Sequence, residues 1–254
     1  MPLLTIITVT YNAERFLERT IQSILANGPG VAFAETDLEY LIIDGGSKDG
    51  TLAIVRQYEP HVSRWISEPD KGLYDAMNKG LRLATGDYVW FLNAGDEVHD
   101  SQTIPALLHQ IRNGAADVYY SDALFVDERG QPLGLRSHIT PHKLPQNLTW
   151  RDMAMGMKVC HQAFIPRREI APPYLTDNFS ADVDWEIRCL KAARKTVFLH
   201  FILCKYLTGG LSVQRHRESL MDRFNVLALH FGYPATVWNH ARILARAAWF
   251  RLAQ

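Results

Sequence analysis

The sequence predicts an α/β fold, a mixed and mainly parallel sheet flanked by helices with a C-terminal helical extension, on three observations. Leu3 to Thr10 and Leu38 to Ile43 are dense in Leu, Ile, Val and Thr without strict alternation, the pattern of strands covered on both faces. Each passes through a short turn into a stretch of helical apolar spacing, so two strand-to-helix units fall in the first 60 residues. Such units form right-handed crossovers between parallel strands. Finally, 254 residues at 47% hydrophobic content suffice for one such domain with an appendage.

The first strand ends at Tyr11-Asn12, where Asn12 is positioned to cap a helix that buries Phe16, Leu17, Ile21, Ile24 and Leu25. A loop with Gly28, Pro29 and Gly30 leads to the second strand. That strand stops at Asp44-Gly45-Gly46-Ser47-Lys48-Asp49-Gly50-Thr51, before a helix from Leu52 to Tyr58. These glycines match neither the dinucleotide fingerprint nor a Walker loop. They form either a tight turn rich in Gly and Asp or a backbone that lies against a flat ligand, with Asp44 accepting a hydrogen bond from a base or ribose. Arg64 to Ser67 makes a third strand, and Asp70 precedes a helix with Leu73, Ala76, Met77, Leu81 and Ala84 on one face. Asp75, Asn78 and Lys79 fall elsewhere on its surface. Asp87 to Leu92 is then a buried strand that breaks into Asn93-Ala94-Gly95-Asp96. A carboxylate delivered to the carboxyl edge of an open sheet stands where ligands bind. Among small residues it is a candidate ligand for a divalent cation bridging phosphate oxygens.

Beyond this point the alternation loosens. Thr103 to Arg112 reads as helix, Val118 to Val126 as one strand, and a turn at Asp127 to Gly130 folds Leu133 to His138 back antiparallel. Residues 138 to 157 read as irregular, where a second substrate is shaped, and His161 to Pro166 as a short strand with a structural His161. In Ser180 to Glu186, Asp182 is expected to face a cleft as a general base, while Asp184 and Glu186 favour the positive end of a helix. Thr196 to Leu203 reads as the last strand, punctuated by Gly209-Gly210-Leu211-Ser212. From Arg215 the chain is helical, broken at Gly232-Tyr233-Pro234. After Phe231 it carries Arg242, Arg246 and Arg251 with Trp238, Trp249, Phe250 and Leu252 and no acid. Those helices are candidates for the inner face of a membrane, for packing on the domain, or for a second copy of the chain.

Composition narrows the classes. Twenty-seven Lys and Arg balance 27 Asp and Glu, which argues against a nucleic-acid partner. Cys160, Cys189 and Cys204 form no metal-ligand pattern and suit a reduced, cytoplasmic protein. No run reaches the roughly 18 apolar residues of a spanning helix, and Pro2 to Thr10 lacks the basic flank of a secretory signal.

Four stretches, Ile6 to Asn12, Ile42 to Thr51, Ser67 to Gly80 and Ala84 to Asp96, together resemble family 2 of the inverting glycosyltransferases, of GT-A fold. His161-Gln162, the Asp182 cluster and Gly209 to Ser212 extend the resemblance more weakly. The resemblance implies a domain at 1–212, with a nucleotide-sugar half at 1–100 and an acceptor half at 101–212, and an extension at 213–254. It puts Thr10, Tyr11 and Asn12 beside the nucleotide, Asp44 on its base or ribose, and Asp70 at the pocket's border. Gly45, Lys71, Asp75, Asn78, Asn93, Ala94 and Gly95 complete the donor contacts. Asp96 is the implied ligand of Mn²⁺ or Mg²⁺ and Asp182 the implied catalytic base. Asn93, Gly95 and Gly45 stand where the family often has acids, which leaves strict metal dependence and base preference open. The implied partners are a UDP-, GDP- or dTDP-sugar and a saccharide or lipid-linked acceptor, used at the inner face of the plasma membrane for surface polysaccharide. A sugar nucleotidyltransferase would show a basic Gly-rich signature near the N-terminus, and Thr8 to Arg15 has none. A binding subunit that keeps the fold without activity is the remaining alternative.

Overall fold

Four parallel strands carry the first half of the molecule: β1 (Leu4–Thr10), β2 (Leu38–Asp44), β3 (Arg64–Ser67) and β4 (Tyr88–Phe91), in the order β3-β2-β1-β4. A computed structural model describes residues 2–27, 37–209 and 216–252 of the chain. The expected loop glycines and proline at 28–30, the punctuation at 210–212 and the side chains of Trp249, Phe250, Arg251 and Leu252 lie outside the described residues. β1, β2 and β4 have buried residues at nearly every position, because helices and later strands cover both faces. α1 (Leu17–Leu25), α2 (Thr51–Gln57) and α3 (Leu73–Leu83) connect the strands. α1 buries Leu17, Thr20, Ile21 and Ile24, one face at helical spacing. Each of those aliphatic side chains contributes roughly 1.5–3 kcal/mol on burial.

The second half adds two smaller sheets. β6 (Val118–Tyr120) lies between β9 (Phe164–Pro166) and β10 (Thr196–Phe198). An isolated antiparallel bridge, Tyr88 to Arg167, ties that sheet to β4. The third sheet runs β5 (Glu97–Val98), β11 (Cys204–Leu207), β7 (Ala123–Val126), β8 (Pro132–Leu135). α4 (Thr103–Asn113), the short α5 (Arg136–Ile139) and α6 (Ala181–Ala192) complete this half. α7 (His216–Phe231) and α8 (Tyr233–Leu252) form the C-terminal extension, with the turn at Gly232, φ +83°.

Several expectations are corrected. The stretch Val118 to Val126 is two strands in two sheets, broken where Ser121 Oγ accepts from Leu203 N–H and Asp122 accepts from Ala123 and Ser137. Side-chain bonds there replace the ladder and turn the chain. The last expected strand ends at Phe198, and a further strand, β11, follows. Asn12 does not cap α1, which begins at Leu17 with no side-chain cap. It adopts φ +47°, and its Oδ1 accepts instead from Lys48 N–H at 2.8 Å. Asn78 is 7% exposed rather than on the surface.

Candidate active site

All four parallel strands end on one edge, so Thr10, Asp44, Ser67 and the Asn93–Asp96 turn share it. The loops after β1 and β2 are stitched together. Asn12 N–H donates to Ser47 Oγ, Ala13 N–H to Thr51 Oγ1, and Gly50 N–H to Glu14 Oε2, at 2.8, 2.8 and 2.6 Å. Asp44 is 1% exposed and accepts from Gly46 and Ser47 N–H and from the Ser47 and Ser67 hydroxyls. It therefore orders this floor at the carboxyl end of β2. Tyr11 projects into solvent at 62% exposure. A Cβ on Gly45 would stand 2.3 Å from Asp70 Oδ2 and 3.4 Å from Tyr11 Cδ2. Thus Tyr11, Gly45 and Asp70 converge, and a side chain at position 45 would require the Asp70 carboxylate to shift. Asp70 also accepts from Gly72 N–H, and Asp75 from Lys71 N–H, shaping the entry to α3. Asn78, expected among the substrate contacts, spends both ends of its amide on the backbone of Tyr174.

The turn after β4 is equally determined. Ala94 N–H donates to Val9 O, Gly95 N–H to Thr20 Oγ1, and Arg19 donates Nε and Nη2 to Gly95 O. Gly95 has φ +108°, and a Cβ there would meet Leu207 Cδ2 at 2.7 Å, so this position excludes a side chain on two grounds. Asp96 is 4% exposed, and its Oδ1 accepts from Leu207 N–H at 2.9 Å. Burial pushes its carboxyl up to about 7, against the pull of Leu207 N–H, the Gln162 side chain and Arg19. Asn93 Oδ1 is buried with no partner among the described residues, as is Thr10 Oγ1. The described residues hold no group of three acidic, His or Cys side chains that could bind a metal by themselves. One carboxylate and an orphaned amide oxygen fit a cation whose remaining ligands are phosphate oxygens and water.

An aromatic wedge sets α6 against this edge. Phe91 of β4 meets Trp185 edge-on, Trp185 stacks on Tyr174 at 4.7 Å, and Tyr174 stacks on Tyr74 at 5.6 Å. His161 Nε2 sits 2.7 Å from Tyr174 Oη inside the wedge, and burial pushes its imidazole down to about 3, so it is a neutral structural group. Asp182 is half-buried at the start of α6 and accepts from Val183 N–H at 2.9 Å. Burial raises its carboxyl, while Val183 N–H, Arg223 and the Tyr74 hydroxyl oppose the rise. Asp184 points elsewhere, to Arg188 Nε at 2.7 Å and His230 Nε2 at 2.8 Å. Those two partners outweigh its burial and hold it below the ordinary range. Glu186 is not at the helix mouth as expected but fully buried one turn on.

Tyr206 of β11 precedes Leu207, whose N–H donates to Asp96. Its hydroxyl is raised first by burial and then by Cys160, Asp96 and Asp182. Sequence reasoning missed Tyr206 because it missed β11. It also passed over Gln162 as a partner of Asp96, although His161-Gln162 was among the resembling residues.

The mainly parallel sheet with its ligand edge, extended by small mixed sheets, is the architecture of the GT-A glycosyltransferases. The model of the family described as Glycosyl transferase family 2 matches residues 5–171. The chain belongs to that family, and the protein is a glycosyltransferase. It is 30% identical over 227 residues to a PGL/p-HBAD biosynthesis glycosyltransferase of Mycobacterium tuberculosis, covering 83% of this chain and 79% of that one. Its fold is similar to that of S. aureus TarS 1-349 in complex with UDP-GlcNAc, with TM-score 0.72 and 18% identity over 97% of this chain and 72% of that one. It is similar also to the mannosyltransferase PcManGT from Pyrobaculum calidifontis in complex with GDP-Man and Mn²⁺, with TM-score 0.61 and 17% identity over 97% and 75% of the two chains. Among the described residues no helix is long and apolar enough to cross a membrane.

Proposed function

We propose that the chain is an inverting glycosyltransferase that moves a sugar from a nucleotide-sugar donor to a hydroxyl of a saccharide or lipid-linked acceptor in surface-polysaccharide synthesis. The observation that supports this reading is the single sheet edge shared by Thr10, Asp44, Ser67 and the 93–96 turn, with buried Asp96 at its end. The aromatic wedge sets the start of α6, with Asp182, against that edge. Tyr11, Gly45 and Asp70 form the nucleoside end of the donor site, and residues 93–96 its diphosphate end. A bound Mn²⁺ or Mg²⁺ would neutralise charge on the departing diphosphate. Asp96 would hold it, with Asn93 Oδ1 as the neighbouring oxygen. Asp182 takes the proton of the acceptor hydroxyl as that oxygen bonds to the anomeric carbon. The bond from that carbon to the diphosphate breaks, and its electron pair leaves with the nucleoside diphosphate. Burial makes the Asp182 carboxylate a stronger base than an exposed aspartate, which suits the proton transfer. The complexes of the similar folds contain UDP-GlcNAc in one case and GDP-Man with Mn²⁺ in the other, which supports a nucleotide-sugar donor and leaves UDP-, GDP- and dTDP-sugars as candidates.

The division at residues 100 and 212 belongs to the same proposal, as does peripheral attachment through the extension. Leu229, Tyr233, Val237, Trp238 and Leu244 are exposed on α7 and α8. The exposed Arg242 shares α8 with most of them, and α8 has no acid, a combination suited to an anionic lipid surface. Asp182→Ala is the test of the mechanism. Transfer should be abolished while calorimetric binding of the donor, with Mn²⁺ present, is largely kept. Near-normal turnover would remove Asp182 from the chemistry, and no donor binding in the unaltered protein would favour a subunit without activity.

A further inference from the structure

Met155 to Lys158, in the stretch between α5 and β9, runs between two guanidinium groups. Arg136, 8% exposed at the start of α5, donates Nη1 to Lys158 O at 2.6 Å and Nη2 to Met157 O at 2.7 Å. On the other side Arg246 of α8 reaches Met155 O and His142 Nδ1 only at 3.4 Å each. The buried Nε–H groups of Arg223, on α7, and of Arg246 find no acceptor among the described residues. An unpaired buried donor costs roughly 1–3 kcal/mol. Two of them on consecutive helices mark the place where an acceptor is missing.

The local field has the matching sign. The His142 imidazole is pushed down to about 3, first by burial and then by Arg136, Arg246, Lys158 and Arg223, so four cations crowd one neutral ring. Burial and Arg246 also lower the Lys158 ammonium, with Asp152 opposing. Among acids, Asp152 acts on Lys158, Asp182 interacts with Arg223, and Glu186 with Arg136. Burial raises the Glu186 carboxyl well above the ordinary range. A phosphomonoester or a diphosphate would supply the acceptor oxygens that the unpaired Nε–H groups of Arg223 and Arg246 lack.

We propose that Arg136, Lys158, Arg223 and Arg246 form a binding site for a phosphate or diphosphate group carried by the acceptor, with Arg223 joining that site to Asp182. The assignment to the acceptor rests on the reading of Asp182 as the base that receives the acceptor's proton. The donor's diphosphate belongs at residues 93–96, where Arg19 is the cation that acts on Asp96. Guanidinium forks suit phosphate oxygens, and two of these forks have donors to spare.

The test uses the full chain with nucleoside diphosphate and Mn²⁺ present to fill the donor side. Thermal stabilisation is titrated with inorganic pyrophosphate, glucose 1-phosphate and farnesyl phosphate at constant ionic strength. Pyrophosphate should stabilise the unaltered protein, and Arg223→Gln and Arg246→Gln should each raise its half-saturating concentration at least about tenfold, since one charge-assisted bond is worth that much. Arg246→Lys should recover part of the loss, and Lys158→Gln substitutes for any variant whose ligand-free melt shows that it does not fold. A stronger effect of farnesyl phosphate than of glucose 1-phosphate identifies a lipid-linked acceptor, and the reverse order a soluble phosphosugar. No stabilisation by any probe, equal stabilisation in both glutamine variants, or displacement of pyrophosphate by UDP and GDP alike overturns the proposal. Asp182→Asn keeps the two readings apart. Normal turnover there sinks the base but leaves a pyrophosphate response standing as an anion site without an assigned acceptor.

Discussion

Replacing Glu186 by Gln should make the protein more stable, by an amount that grows with pH. Both carboxylate oxygens of Glu186 are buried and unpartnered among the described residues. Burial first, and then the charge of Asp182 one turn earlier on α6, raise its carboxyl well above the ordinary 4.5, with Arg136 acting the other way. The folded chain therefore keeps a proton that the unfolded chain gives up. Stability is unaffected by this group below about pH 4.5 and falls as pH rises above it, until the folded carboxyl itself ionises. One proton of difference is worth at most about 1.36 kcal/mol per pH unit, so the penalty grows with pH above the ordinary carboxylate range for as long as the folded carboxyl keeps its proton. Against a typical net stability of about 5–15 kcal/mol, that is easily measured. Glutamine keeps the shape and removes the ionisation. Urea unfolding of both proteins near pH 5, 6 and 7 should show the variant's advantage widening with pH, by at most about 1.4 kcal/mol at each step. Asp96 is common to both proteins, so its own titration cancels in the difference to first order, while Asp182, coupled to Glu186, contributes to the pH dependence that is read. An advantage that stays flat across the range would mean that Glu186 is ionised inside the fold, and the reasoning from burial would be refuted.

Two further outcomes follow from the site and the extension. Gly45→Ala places a methyl group where Asp70 Oδ2 now stands, so it should weaken nucleotide binding by about tenfold or more while shifting the melting temperature little, as read by calorimetry and thermal melts. A large loss of stability with unchanged affinity would count against a nucleoside site there. Trp238→Ser with Leu244→Ser should cut co-sedimentation with anionic vesicles several-fold and leave the secondary structure intact, since both side chains are exposed. Equal sedimentation of the two proteins would argue against the lipid surface.

The first hundred residues were largely legible because β1, β2 and β4 are covered on both faces and so appear as unbroken apolar runs. The later strands have three or four residues each, too few for a period to show. At Ser121-Asp122 the chain changes sheets through side-chain hydrogen bonds, which no hydropathy pattern records. β11 holds Cys204, Lys205, Tyr206 and Leu207, a mixture without alternation. Local spacing misplaced Asn78 because its partner, the Tyr174 backbone, is 96 residues away. Glu186 was misjudged for a similar reason: a position near a helix start suggests solvent, and only the tertiary packing removes it. The departure at Gly45 became explicable only once Asp70 and Tyr11 were seen against it.

The stitched loops after β1 and β2 bear on how such an enzyme could be retargeted. Asn12, Glu14, Ser47 and Thr51 each hold the opposite loop's backbone, so any one replaced alone unfastens its neighbour before it can favour a different nucleobase. Residues 10–14 and 44–51 would have to be exchanged together as a single cassette. Adaptation to new acceptors, drawn from separate parts of the chain, is free of that constraint.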